Sequence, residues 1–311
     1  MQKSKYYSIT KSNGNYNVVI KKAIIPLFRY RNFNQYSLSD LINDEITFST
    51  PDNFNDPYDC SVVYDSNVIK EIQDNFYKKT NFYIQKQYIY EFIELIKNFT
   101  KNINGIVCLS ETITNELMWA HYASCGKGFA LEYEYNDLEK LSCEYEKIQR
   151  LQSKCGVEES FFTEDFPLKH IGPVVYDNRK YNISNTIREA VNYGLNNEIL
   201  ENQKQKIESY IISKEKNDIK SANETIIYSK AKDWQYEKEW RLIASVPNYQ
   251  FRSGYFSLKG AKTKNIYLGE FIDEKSQQIL IKIAKDKQIN IYKMYSQILP
   301  SSIKLKYKKI K

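Results

Sequence analysis

Runs that read as strands and runs that read as helices follow one another along this chain without regular alternation. No glycine-rich phosphate loop of the Walker or Rossmann type joins any pair of them. That order argues for a single α+β domain over residues 1–311, with a mixed or split β-sheet core and helical insertions at about 68–100 and 184–228. With 42% hydrophobic and 14% aromatic residues among 311, the chain can bury a core without staples.

Residues 1–22 are polar, with Asn13-Gly14-Asn15 as a turn signal, and read as a loosely attached arm or hairpin. A strand follows at or just after Pro26 and carries Arg29, Tyr30 and Arg31 to its end. Ser37 and Asp40 are spaced to open a short helix, and EITFS then reads as a second strand, closed by Pro51. In PDNFNDPYDC two prolines and several Asx residues predict a structured turn plugged by Phe54. Helical spacing of Ile69, Ile72, Phe76 and then Tyr90, Phe92, Ile93 and Ile96 predicts two helices joined near 79–81.

GIVCLS reads as a strand, and NELMWAHY as a helix with Leu117, Met118 and Tyr122 on its apolar face. That helix ends in the turn Cys125-Gly126-Lys127-Gly128 and leads into a strand from Phe129. His121 lies just before the turn, where a packed or capping role competes with a catalytic one. GPVVYD, NIYLG and INIYKMYS are further strands, with a helix over 275–285.

The stretch WQYEKEWRLIASV, 234–246, combines a charged, aromatic first half with an apolar, strand-like second half. If Glu237 and Glu239 both belong to the strand, their spacing puts both carboxylates on one face, flanked by Trp234, Tyr236 and Trp240. The ordinary alternative is an exposed strand end with Glu239 paired to Arg241 or a lysine.

A formal charge of +7 favours an anionic partner, but the excess is dispersed, and the one dense basic run, LKYKKIK, reads as a solvated tail. Five cysteines without a CxxC pair, and only two histidines, argue against a zinc site or a disulfide framework. No apolar window is long enough for a membrane span, so a reducing cytoplasm is the expected location.

LFRYRNFN (27–34), FSTPDNFNDPYDC (48–60), VCLSE (107–111), LMWAHYASCGKGFALEY (117–133) and KAKDWQYEKEWRLI (230–243) together resemble a large bacterial family, domain of unknown function twenty-nine seventy-one. Three shorter pieces, in the same order, resemble ADP-ribosyltransferases of the arginine, serine, glutamate type. They are Arg29 with Tyr30, then Ser49-Thr50 followed by Pro51, then Glu237-Lys238-Glu239 leading an apolar strand.

That second resemblance implies an ADP-ribosyltransferase-like fold and an enzyme that cleaves NAD, its substrate, and passes ADP-ribose to a protein or nucleic-acid acceptor. Glu239 would face the oxocarbenium-like centre and Glu237 would orient or deprotonate the acceptor. Arg29 would clamp the diphosphate, Ser49 or Thr50 would hold the ribose or Glu239, and Tyr30 or Trp234 would stack on nicotinamide, with Tyr236 and His121 beside them. By analogy, such an enzyme would serve as a bacterial toxin or phage-defence effector, held by an antitoxin or other regulatory partner. Two rivals remain: a nucleic-acid-binding module without chemistry, and a nuclease using His121 with Glu111 or Glu116.

Overall fold

The computed structural model describes residues 2–94 apart from 13, 14, 23, 82, 88 and 92, then 104–141, 171–189 apart from 179 and 186, 226–245 and 255–310. Most of the insertion expected at 184–228 lies outside the described residues.

The chain opens on three strands, β1 (Gln2–Lys3), β2 (Tyr7–Ser12) and β3 (Asn15–Ile20), paired antiparallel in a small sheet. This is a hairpin, as expected, but not a loose one. Tyr6, Tyr7 and Ile9 are buried in the main core, and the Tyr7 ring meets Trp240 edge-on at 5.5 Å. Polar composition hid three anchors spaced along the segment.

β4 (Pro26–Arg31) begins on the proline itself, whose missing N–H suits a strand end. α1 (Gln35–Asn43) is capped one turn earlier than the serine suggested: the Asn34 side chain accepts from the Ser37 backbone N–H at 2.9 Å. β5 (Glu45–Ser49) follows, then a 3-10 turn at Pro51–Asn53, the short β6 (Val62–Val63), and α2 (Asn67–Thr80). α2 ends at left-handed Asn81, at the expected junction.

β7 (Asn104–Ser110) is the central strand. α3 (Glu116–Tyr122) is capped by Asn115, which accepts from the N–H groups of Leu117 and Met118. Its buried face carries Met118 and Trp119, whereas Leu117 faces solvent. β8 (Phe129–Glu134) follows, then β9 (Ile171–Pro173), β10 (Val175–Tyr176), β11 (Tyr181–Asn182), β12 (Ser229–Lys230), β13 (Glu239–Ser245), β14 (Tyr255–Lys259) and β15 (Asn265–Leu268). α4 (Glu274–Asp286), β16 (Asn290–Leu299) and β17 (Ser302–Lys309) close the described chain.

Ten of these strands form one mixed sheet, in the order β14, β5, β7, β4, β8, β15, β16, β17, with β13 on the other side of β7 and β9 outside β13. β15 and β16 run parallel, while the other described pairs of this sheet are antiparallel. β5 and β4 share one edge of β7, at Ser49 opposite Ile106 and Phe28 opposite Ser110, so the sheet forks there.

One sheet face packs Leu27, Phe48, Val107, Leu131, Trp240 and Leu242 against the N-terminal sheet, α1 and α4. Each such side chain taken from water contributes roughly 1.5–3 kcal/mol. A separate small core joins α2 with Ile89, Ile93, Ile183 and Ile187, so parts of the two helical insertions pack on each other.

The basic C-terminal run is a strand, not a tail. In β17, Lys304, Lys306 and Lys308 alternate onto one face, while Leu305 and Tyr307 pack on the other. Because β17 is the sheet edge, these charges discourage pairing with another chain. Among the described residues no helix is long and apolar enough to cross a membrane.

Candidate functional site

Ala231 to Trp240 builds the site. Lys232–Glu237 winds as a 3-10 helix, Lys238 turns through the left-handed region at φ 45°, and β13 starts at Glu239. The two carboxylates therefore belong to different elements, and strand alternation is not what brings them together. The turn at Lys238 does so.

The end of β7 and the cap of α3 pin this turn. The Ser110 hydroxyl donates to the Glu237 carbonyl at 2.6 Å, the Asn115 amide donates to the Tyr236 carbonyl at 2.9 Å, and the Glu111 N–H donates to the Lys238 carbonyl at 3.1 Å.

Both glutamates converge on Lys230 from β12. Its Nζ lies 2.6 Å from Glu237 Oε2, 3.3 Å from Glu239 Oε2 and 3.6 Å from Asp59 Oδ2. Arg241, fully buried in the middle of β13, donates from Nε to Glu239 at 2.8 Å and from Nη2 to Asp59 at 2.5 Å. Its Nη1 also donates to the Ile227 carbonyl, and the Phe54 ring lies 5.5 Å from its Cζ. Two cations thus hold three carboxylates away from bulk water, an arrangement that survives burial only when nearly every charge has a partner.

The electrostatics separate the two glutamates. Burial alone would raise the Glu239 carboxyl, but Arg241 and Lys230 outweigh it and hold this group well below the usual carboxylate range. Glu237 goes the other way. Burial, and then the charge of Glu239, push it up to about 7 against the pull of Lys230. Burial pulls Lys230 down, yet Glu239 and Glu237 together keep it firmly protonated.

Glu237 is also the member that meets the surrounding tyrosines. It is 3% exposed and accepts a short hydrogen bond from the Tyr122 hydroxyl, which in turn accepts from Asn55 Nδ2 at 2.7 Å. Burial and the Glu237 charge keep that phenol neutral. Around it stand exposed His121 and half-buried Tyr122, Trp234 and Tyr236. His121 lies 6.2 Å from Tyr236 and 6.4 Å from Tyr122, Trp234 lies 6.1 Å from Tyr236, and Lys230 Nζ sits 4.8 Å from the Trp234 ring. The result is an aromatic rim beside a carboxyl poised between its two protonation states.

The expected convergence of Arg29 and Ser49 on Glu239 is not met. Phe28 and Glu239 both lie opposite Ser110, so Phe28, and not Arg29, shares the face of Glu239. Arg29 donates to the Thr47 carbonyl at 2.6 Å and lies 4.0 Å from Asp40, which also pairs with Arg31 at 3.0 Å. Burial and neighbouring Arg31 lower its pKa to about 10.

Ser49 stands level with Ile106, four residues along β7 from Ser110, or about 13 Å along the strand. Thr50 is buried and accepts from Asn53. Tyr30 is packed edge-on against Trp119 at 5.1 Å, with its hydroxyl on the Thr112 carbonyl, so it is no free stacking wall. Trp234, Tyr236 and His121 do gather with Glu237.

The partners proposed for His121 in a nuclease do not assemble. Glu111 accepts from the Ser4 hydroxyl and Trp240 Nε1, and Glu116 is five residues before His121, about 140° round the helix. The ordinary pairing of Glu239 with Arg241 is present, but in the core rather than at an exposed end.

Asp59, Lys230, Tyr122 and Asn55 went unread as site residues. One signal was available: Arg241 interrupts an apolar strand, and a charge in such a run demands buried partners.

Residues 118–242 match a sequence family described as protein of unknown function (DUF2971). The DUF2971 segment carries His121, Tyr122, Lys230, Trp234, Glu237, Glu239 and Arg241, whereas Asn55 and Asp59 come from before it. No curated protein and no solved structure matches the chain.

Proposed function

We propose that the chain is an ADP-ribosyltransferase-like enzyme that breaks the N-glycosidic bond of NAD at Glu237 and passes ADP-ribose to a protein or nucleic-acid acceptor. The observation that carries this reading is Glu237 itself, a carboxyl raised to about 7 beside an aromatic rim and next to a glutamate held anionic. Carboxylates whose environments push them apart divide roles, one titrating and one permanently charged.

In this reading Tyr236, Trp234 and His121 receive the nicotinamide, a planar cation suited to aromatic faces. The carbon–nitrogen bond breaks, nicotinamide leaves neutral with the bonding pair, and the anionic Glu237 stabilises the ribosyl cation. An acceptor oxygen or nitrogen then bonds to that carbon, and its proton goes to Glu237. Glu239 has a different task from the one its sequence position suggested: it fixes Lys230 and Arg241 and so keeps Glu237 in place. Arg29 and Ser49 have no part in it. By analogy with such enzymes, the activity would serve a toxin or phage-defence role under a regulatory partner.

The test is incubation of the full chain with NAD labelled in its adenylate half, together with separate protein and RNA fractions. Label should enter one fraction, Glu237→Gln should abolish transfer, and Arg29→Gln should retain it in the folded protein. Transfer unaffected by Glu237→Gln, or absence of both transfer and NAD cleavage, overturns the reading.

A further inference from the structure

The turn at Lys238 has two sides. Glu237 and Glu239 face Lys230 on one, while Gln235 and Lys238 face a cavity of about 410 Å³ on the other. The remaining walls are Gln2, Lys3, Ser4, Lys5 and Tyr7 of the N-terminal strands, with Glu111, Thr112 and Tyr176. This volume falls within the range of small-molecule sites.

Much of the wall is already committed. Gln2 donates to the Tyr7 hydroxyl at 2.8 Å and the Val174 carbonyl at 3.0 Å, and accepts from the Tyr176 N–H. Glu111 accepts the Ser4 hydroxyl on both oxygens at 2.9 Å and Trp240 Nε1 at 3.3 Å. The Tyr176 hydroxyl accepts from the Glu239 N–H at 2.7 Å. Burial, with Glu111 adding to the rise, pushes the Tyr7 phenol up to about 12, so it remains a neutral wall.

The lysines are different. Among the described residues no carboxylate pairs with Lys3, Lys5 or Lys238, and Lys5 Nζ rests 4.5 Å from the Tyr6 ring. Three ammonium groups against one carboxylate leave a cavity with two positive charges to spare. The left-handed backbone at Lys238 is an unusual conformation for a lysine, and Lys238 lines the cavity while the carboxylates on either side of it bond Lys230.

We propose that this cavity binds a small phosphate-bearing anion, a phosphomonoester or a diphosphate. Lys3, Lys5 and Lys238 would supply the charge, with the Gln235 amide and the Thr112 hydroxyl as neutral donors and Tyr7 as the apolar wall. The binding needs no turnover and does not depend on the glycosidic chemistry proposed for Glu237.

The experiment is calorimetric titration of the full chain with inorganic pyrophosphate, with AMP and with adenosine. Either phosphate compound should bind once per chain, more weakly as salt rises, and adenosine should not bind. Lys238→Gln, and separately Lys3→Gln with Lys5→Gln, should each weaken binding by about tenfold, since each removes charge-assisted hydrogen bonds. Lys304→Gln on the distant edge strand should leave it unchanged, and circular dichroism should show all variants folded. Tighter binding of pyrophosphate marks a diphosphate site, and tighter binding of AMP a phosphomonoester site. Absence of binding by both, binding of adenosine as tight as AMP, or equal loss with Lys304→Gln overturns the proposal.

Discussion

Replacing Glu237 by glutamine should change how the stability of this protein depends on pH. In the fold, burial and the neighbouring Glu239 charge raise the carboxyl from an ordinary value of 4.5 to about 7. The folded state therefore holds a proton between those two values that the unfolded chain releases. Stability from this group is complete below about 4.5 and is lost as pH rises through about 7. At about 1.4 kcal/mol for each unit of pKa, ionising Glu237 inside the fold costs about 3 kcal/mol by pH 8. Glutamine keeps the shape, its one oxygen can accept from Lys230 and its amide N–H can donate to the Tyr122 oxygen, but it does not titrate.

Urea unfolding of the wild type and Glu237→Gln at pH 4.5, 6 and 8 isolates the cluster's response, because groups outside it cancel in the difference. The wild type should lose about 2–4 kcal/mol relative to the variant across that range. Parallel profiles, or a wild type that gains on the variant as pH rises, would refute the electrostatic reasoning about the cluster.

Arg241→Met should cost roughly 3–5 kcal/mol, seen as a large drop in thermal midpoint, because Glu239 and Asp59 are left buried without their guanidinium. A small loss would mean that the two acids find other partners. Gly269→Ala should be as damaging without touching a charge: its Cβ would lie 2.1 Å from the Gly126 carbonyl oxygen, a backbone atom that cannot swing away. Exchanging Lys304, Lys306 and Lys308 for threonine should leave the midpoint nearly unchanged but cause concentration-dependent association by light scattering, since the bare edge of β17 loses its charges.

Strand and helix positions were legible from periodicity and turn residues. β4, β5, β7, β8 and α4 all fall within a residue or two of the patterns that announce them. Two of the misreadings show their physical causes. Residues 1–22 look polar although Tyr6, Tyr7 and Ile9 are buried in the core, with Val18 and Ile20 packed against it, and LKYKKIK looks like a tail because the lysines of an edge strand face water.

The site was half legible. The Glu pair and its aromatic neighbours were visible in one stretch, but Asp59 lies 180 residues before Glu239, and only the fold brings it to Arg241. Arg29 looked free because sequence order says nothing of sheet face. One residue of register decides whether a side chain meets Glu239 or the opposite core.

The most direct measurement on the proposed activity is nicotinamide release from NAD across pH, with wild type and Glu237→Gln side by side. The expected result is release that climbs as the Glu237 carboxyl ionises, with an apparent pKa of about 7, and none from the folded variant. Release that persists in Glu237→Gln, or a folded wild type that leaves NAD intact at every pH, would contradict it.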